Sequence, residues 1–228
     1  MEKEEKLSFS DKLGKWILKN RVVLISILAV IFVAGVVGAI AFSVAAKNTE
    51  KKFANLYDLT TEYNAVVEDL DFSDEEKFAE SQVILADVLS IADANAKNSV
   101  GIRAYMLAAE IQFANKDYAN AAASWENAAN ANLKVYTAPL SFYNAAVCYE
   151  ELGNYDAAIA SLKKAIESDD FALKAKAIFN LGRLEETIGN YAAAADAYND
   201  IVENYSSLEV FNFAKSRLIY LKEQGLLN

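Results

Sequence analysis

The sequence predicts an all-α protein in which a single membrane-spanning helix precedes a stack of about four helical hairpins and a capping helix. Three observations carry this. Of the 228 residues 54% are hydrophobic, with one Pro and eight Gly, which is too apolar for disorder and too poor in turn-formers for a sheet-rich fold. Val22 to Ala46 is a run of 25 residues without a charge. Beyond it, three alanine-rich stretches resemble one another, their tyrosines Tyr118, Tyr155 and Tyr191 falling 37 and 36 residues apart.

The composition also excludes most chemistry. There is no His and one Cys, which removes His acid/base work, Ser-His and Cys-His nucleophiles, His metal sites and internal disulfides. No catalytic, cofactor-binding or metal-ligating residues are expected, and the chain is not expected to be an enzyme. Net charge is -10, unevenly spread: residues 1–21 carry six Lys/Arg against four Asp/Glu, leaving 16 basic against 28 acidic afterwards. Nucleic acid is therefore not an expected partner.

Residues 1–21 read as a short tail and 22–46 as the span, long enough as a helix to cross a bilayer with some tilt. The run exceeds the apolar core of a secretory signal peptide, and no Cys follows it to be acylated. Lys3, Lys6, Lys12, Lys15, Lys19 and Arg21 precede it against Lys47, Lys51 and Lys52 behind, so the amino terminus is expected in the cytoplasm of a bacterial inner membrane. Residues 47–228 then lie outside, in the periplasm of a two-membrane cell. Ala34/Gly38 and Gly35/Ala39 put small residues at i, i+4 on the span, a spacing that lets a second helix approach.

The outward domain begins with a degenerate hairpin over 49–98. Phe53, Leu56, Leu59, Tyr63, Val66, Val67 and Leu70 give its first helix an apolar face, and that helix can run on from the span. Ser73 and Glu76 form a capping box that starts the second. The nearby Asp69, Asp71 and Glu80 fit part of a calcium loop, but Asp74 stands where its sharp turn needs Gly.

The three repeats span about 102–136, 139–172 and 175–207. Each reads as two amphipathic helices around a tight turn, Gly153-Asn154-Tyr155 and Gly189-Asn190-Tyr191 in the later two, with Lys116 in place of Gly in the first. Short residues such as Ala146, Ala158, Ala165, Gly182 and Ala194 recur where helices must approach closely. Residues 208–226 add a last amphipathic helix, with Phe211, Ala214, Leu218 and Leu221 placed to cover the end of the stack. Cys148, flanked by Val147 and Tyr149, reads as a packed thiol.

This pattern resembles the tetratricopeptide repeat (TPR) family, most specifically through Ala146, Tyr149, Gly153, Tyr155, Ala158, Leu162 and Ala165, and through Leu181, Gly182, Gly189, Tyr191, Ala194 and Tyr198. The resemblance implies an α-solenoid that binds protein or peptide partners in a concave groove lined by the first helices. Mapped here, that groove comprises Arg103, Met106, Glu110 and Phe113, then Tyr143, Asn144, Val147 and Glu150, then Lys176, Phe179, Arg183 and Glu186. Tyr143, Phe179 and Arg183 are the expected anchors. Of the carboxylate clamp found in some of the family, Asn144 and Lys176 match, while Met106, Glu110 and Asn180 replace other members, so an extended segment suits better than a terminal carboxylate.

One span followed by an outward TPR domain also resembles, as an architecture, the YfgM-type ancillary subunits of the bacterial Sec translocon. That resemblance implies a chaperone-network adaptor whose partners are the SecYEG translocon, periplasmic chaperones and emerging secretory chains. A scaffold for envelope assembly or cell division, docking folded partners, is the other function the sequence allows.

Overall fold

The computed structural model of the chain describes residues 8–227, and among them it holds ten helices and no strand. The chain divides into two compact units, Met1–Lys51 and Lys52–Asn228.

In the first unit α1 (Phe9–Lys19) starts at a capping box in which Ser8 and Asp11 satisfy each other's backbone N–H groups. The sequence reading assigns no helix to this tail. Asn20 ends α1 by leaving helical geometry (φ -106°, ψ 12°), and its side-chain amide donates to the Trp16 carbonyl at 2.8 Å. Lys3 and Lys6, part of the basic flank, lie outside the described residues. The helix α2 runs without a break from Arg21 to Glu68, so the apolar span and the segment ahead of the repeats are one element. No residue of its first 31 is buried, although nearly half of them are large and apolar. Among the described residues it is the one helix long and apolar enough to cross a membrane.

The second unit takes the rest of α2, then α3 (Asp74–Ala94), α4 (Ser99–Ala114), α5 (Tyr118–Ala131), α6 (Thr137–Glu151), α7 (Tyr155–Ile166), α8 (Lys174–Thr187), α9 (Tyr191–Asn204) and α10 (Val210–Glu223). Consecutive helices from α3 onward pack on one another, and α10 packs on α9 and α8. The Ser73–Glu76 capping box starts α3. Leu56 and Leu59 of α2 are buried with Ile84, Leu85 and Val88 of α3 and Ile102 and Tyr105 of α4, so the degenerate hairpin is sealed by its apolar face rather than by close backbone approach.

Inside the repeats the helices come close because alanine faces alanine. Ala109, Ala121, Ala122, Ala145 and Cys148 form one cluster around Trp125, and Ala146, Ala158 and Ala165 belong to the next. Burial pushes the Cys148 thiol up to about 12, which leaves it unreactive. The turn of each of the three repeats is closed alike: a residue with positive φ is followed by an N–H that reaches back over the last turn. Gly153 (φ 69°) precedes Asn154, whose N–H donates to the Tyr149 carbonyl at 2.9 Å, and Gly189 (φ 81°) precedes Asn190, which donates to Glu185 at 2.8 Å. Lys116 adopts the same conformation (φ 60°), with Asp117 donating to Gln112 at 2.8 Å, so the first repeat keeps the turn without the glycine.

Candidate protein-binding groove

Two adjoining cavities of about 350 and 420 Å³ meet at Glu110. The first is lined by Phe113, Trp125, Asn144 and Val147, the second by Phe53, Tyr57, Arg103, Met106 and Tyr136. The spacing of α4 builds the shared wall: Arg103, Met106, Glu110 and Phe113 recur at three and four residues and lie on one face, while Ala104, Ala108 and Ile111 face the core. The α6 wall follows the same rule through Asn144 and Val147, with Ala145 and Cys148 turned inward.

The groove is apolar with few charges. Arg103 stacks over the Phe53 ring, 5.5 Å from its centroid, which holds the guanidinium against an aromatic face. Desolvation by the surrounding walls raises the Glu110 carboxyl above the ordinary glutamate range. It also raises the neighbouring Tyr63 phenol, to which the Glu110 charge adds.

The sequence-predicted residues separate into two sets. Arg103, Met106, Glu110, Asn144 and Val147 line the paired cavities together with Phe113. The expected anchors of the later repeats do not join them. Tyr143 is buried at 8% exposure with its ring tilted against Phe171, 6.2 Å between centroids, and its hydroxyl accepts from the Asn180 amide at 3.0 Å. The tyrosine thus ties α6 to α8 and leaves a partner little to grip. Both terminal nitrogens of Arg183 donate to the Glu150 carboxylate at 2.6 Å, a fork-on-fork pair that bridges the same two helices. Phe179 packs between Tyr198 and Phe213, at 5.7 and 6.2 Å. With Arg183, Glu186, Tyr198 and Arg217 it lines a separate cavity of about 360 Å³, where Arg217 is ion-paired to Glu186. Lys176 is exposed and lines none of these cavities.

Sequence reasoning missed the α2 contribution. Phe53, Tyr57 and Thr60 precede the repeats and carry no repeat signature, so a map built from first helices overlooks them. The available signal was two aromatics four residues apart on the apolar face of that segment.

Residues 138–209 match the tetratricopeptide repeat family. A TPR repeat-containing protein of Treponema pallidum (strain Nichols) is 33% identical over 117 residues, 51% of this chain and 49% of its own length, so the match spans about half of that relative. The crystal structure of MamA superposes with a TM-score of 0.51 at 17% identity, covering 65% of this chain and 81% of that one, a likeness of fold alone. The stacked hairpins, their recurrent turn and these matches together show tetratricopeptide repeats over residues 138–209, in a chain whose described residues are all-helical and include one helix long and apolar enough to cross a membrane.

Proposed function

We propose that the protein is a membrane-anchored adaptor that holds an extended segment of another protein in the groove between α2, α4 and α6. The observation that carries this reading is the continuity of the two cavities through Glu110. Together they form an open apolar channel with one cation, one acid and one amide, which suits a short stretch of unfolded chain alternating apolar and polar side chains. TPR domains bind protein partners, and no other chemistry is implied by the residues present.

The finer assignment is a bacterial inner-membrane protein, amino terminus inside and repeats outside, acting beside the SecYEG translocon and periplasmic chaperones on emerging secretory chains. The basic flank before the span and the architecture support it. A scaffold docking folded envelope-assembly or division proteins is the second reading, favoured by the exposed Phe213, Ile219 and Tyr220 on α10, apolar side chains that line neither cavity of the groove.

A photo-crosslinking amino acid at Met106, compared with one at Phe213 and one at Lys176, separates these in intact cells. Crosslinks from Met106 to a spread of exported chains are the expected result. Crosslinks from Phe213 to one folded protein, with Met106 silent, overturn the adaptor reading in favour of the scaffold. A reporter active only outside the cytoplasm is expected to work after Asn228 and to fail before Met1; the reverse pattern overturns the topology.

A further inference from the structure

We infer that α1 lies in the plane of the membrane, docked on the anionic lipid surface of the leaflet where the span begins. This rests on the reading of α2 as a membrane span. The helix is strongly two-sided: Phe9, Leu13, Trp16 and Ile17 recur at i, i+4, i+7 and i+8 and so share one face. All four are solvent-exposed, Phe9 at 82% and Trp16 at 54%, and no residue of α1 is buried. An apolar face of that size on a soluble helix needs an occupant.

Two features of the chain name the occupant. The first is continuity. One residue, Asn20, separates α1 from α2, and the uncharged run starts at Val22, so a bilayer accepting that run brings its headgroups to the end of α1. The second is charge. Lys12, Lys15 and Lys19 at i, i+3 and i+7 form a stripe along the flank of the apolar face, and Arg21 adds a further cation at the start of α2. The one acid of α1, Asp11, lies away from that face and is engaged by the Ser8 hydroxyl and N–H. Lysines in this position reach up to phosphates while their stems lie along the acyl boundary, which is the arrangement of an interfacial helix on anionic lipid.

The backbone supplies the corner. Asn20 has already left helical geometry, and its backbone N–H and side-chain amide both donate to the Trp16 carbonyl, at 3.0 and 2.8 Å, which caps the end of α1. A bend between the two helices at this residue lets α1 lie flat while α2 crosses. A helix that instead continued along the span would put its aromatic and aliphatic face into water.

The test uses the full chain in vesicles, with a nitroxide on a cysteine introduced by Leu13→Cys or by Gly14→Cys. The native Cys148 is fully buried with a thiol pushed up to about 12, so it does not compete for the label. Positions 13 and 14 differ by about 1.5 Å in height along the helix but by about 100° around it. A flat helix therefore gives opposite environments, and an upright one gives the same depth. In vesicles of phosphatidylcholine with phosphatidylglycerol, the label at 13 is expected to collide with oxygen and that at 14 with an aqueous nickel reagent. Combining Lys12→Gln, Lys15→Gln and Lys19→Gln, or using phosphatidylcholine alone, is expected to return both labels to water.

Equal accessibility at 13 and 14 in the anionic vesicles overturns the proposal while leaving the span intact. A flat helix indifferent to the lysines and to lipid charge overturns the assignment to anionic lipid. Release of the whole chain by alkaline carbonate overturns the spanning reading and this one with it.

Discussion

Gly182→Ala is the sharpest test of the packing argument, because local propensity and tertiary contact pull in opposite directions. Alanine is worth about 1 kcal/mol more than glycine inside a helix, so propensity alone predicts a gain. The tertiary structure predicts a loss. A methyl at this point of α8 would lie 2.6, 2.9 and 3.1 Å from three carbons of the Tyr198 ring on α9, against the 3.5 to 4 Å of an ordinary contact. The ring is fully buried, wedged by Phe179, and its hydroxyl donates to Glu186 at 3.1 Å, so it has no room to swing away. Overpacking of this kind costs about 3 kcal/mol at the upper end of its usual range, and the helix gain offsets about 1, leaving a net loss of about 2 kcal/mol. For a chain of this size the melting midpoint should fall by about 4 to 8 °C. The assay is thermal unfolding by far-ultraviolet circular dichroism of the full chain in detergent micelles. Tyr198→Leu removes the obstructing ring, so in that background Gly182→Ala should become neutral or mildly stabilising. A wild-type midpoint for Gly182→Ala, or an equal loss with Leu at 198, would show that the α8–α9 crossing is not set by this contact.

Four further outcomes follow from the same structure. Lys116→Gly should raise stability by about 1 kcal/mol by relieving the side-chain strain of a positive φ, and a lower melting midpoint contradicts the shared turn. Gly153→Val should cost about 1 to 3 kcal/mol through backbone strain alone, since nothing lies within 4 Å of the added carbon; unchanged thermal unfolding counts against the register of the second repeat. Ser141→Ala should stabilise by about 1 kcal/mol, because the Ser141 hydroxyl is fully buried and hydrogen-bonds to nothing among the described residues; a loss in denaturant titration refutes this. Glu110 is desolvated in the folded state, which raises its carboxyl, so the folded chain is penalised above the ordinary glutamate range and not below it. Glu110→Gln should therefore raise the melting midpoint at pH 7 and leave it unchanged at about pH 3.5, under the unfolded value; the opposite pH trend refutes the assignment.

The class and order of this fold are legible without coordinates because each rests on a local rule. Twenty-five uncharged residues have few soluble uses, alanine at the recurring small positions allows close helix approach, and glycine before Asn154 and Asn190 marks a helix end by its backbone freedom. The spacing of Arg103, Met106 and Glu110 likewise fixes that they share a face, since the helical period alone decides it. Which face meets a partner is another matter. Tyr143 and Arg183 occupy positions equivalent to groove residues, yet one is buried against Phe171 and the other is held by Glu150, because neighbouring repeats supply partners far away in sequence. The left-handed backbone at Lys116 and the place of Phe53 in the groove were only partly legible, for the same reason: the first is imposed on an unfavourable residue by the packing of α4 on α5, and the second arises where a helix outside the repeats closes over them. Periodicity determines what a helix offers, and only the tertiary contacts decide which of those side chains remain free to bind.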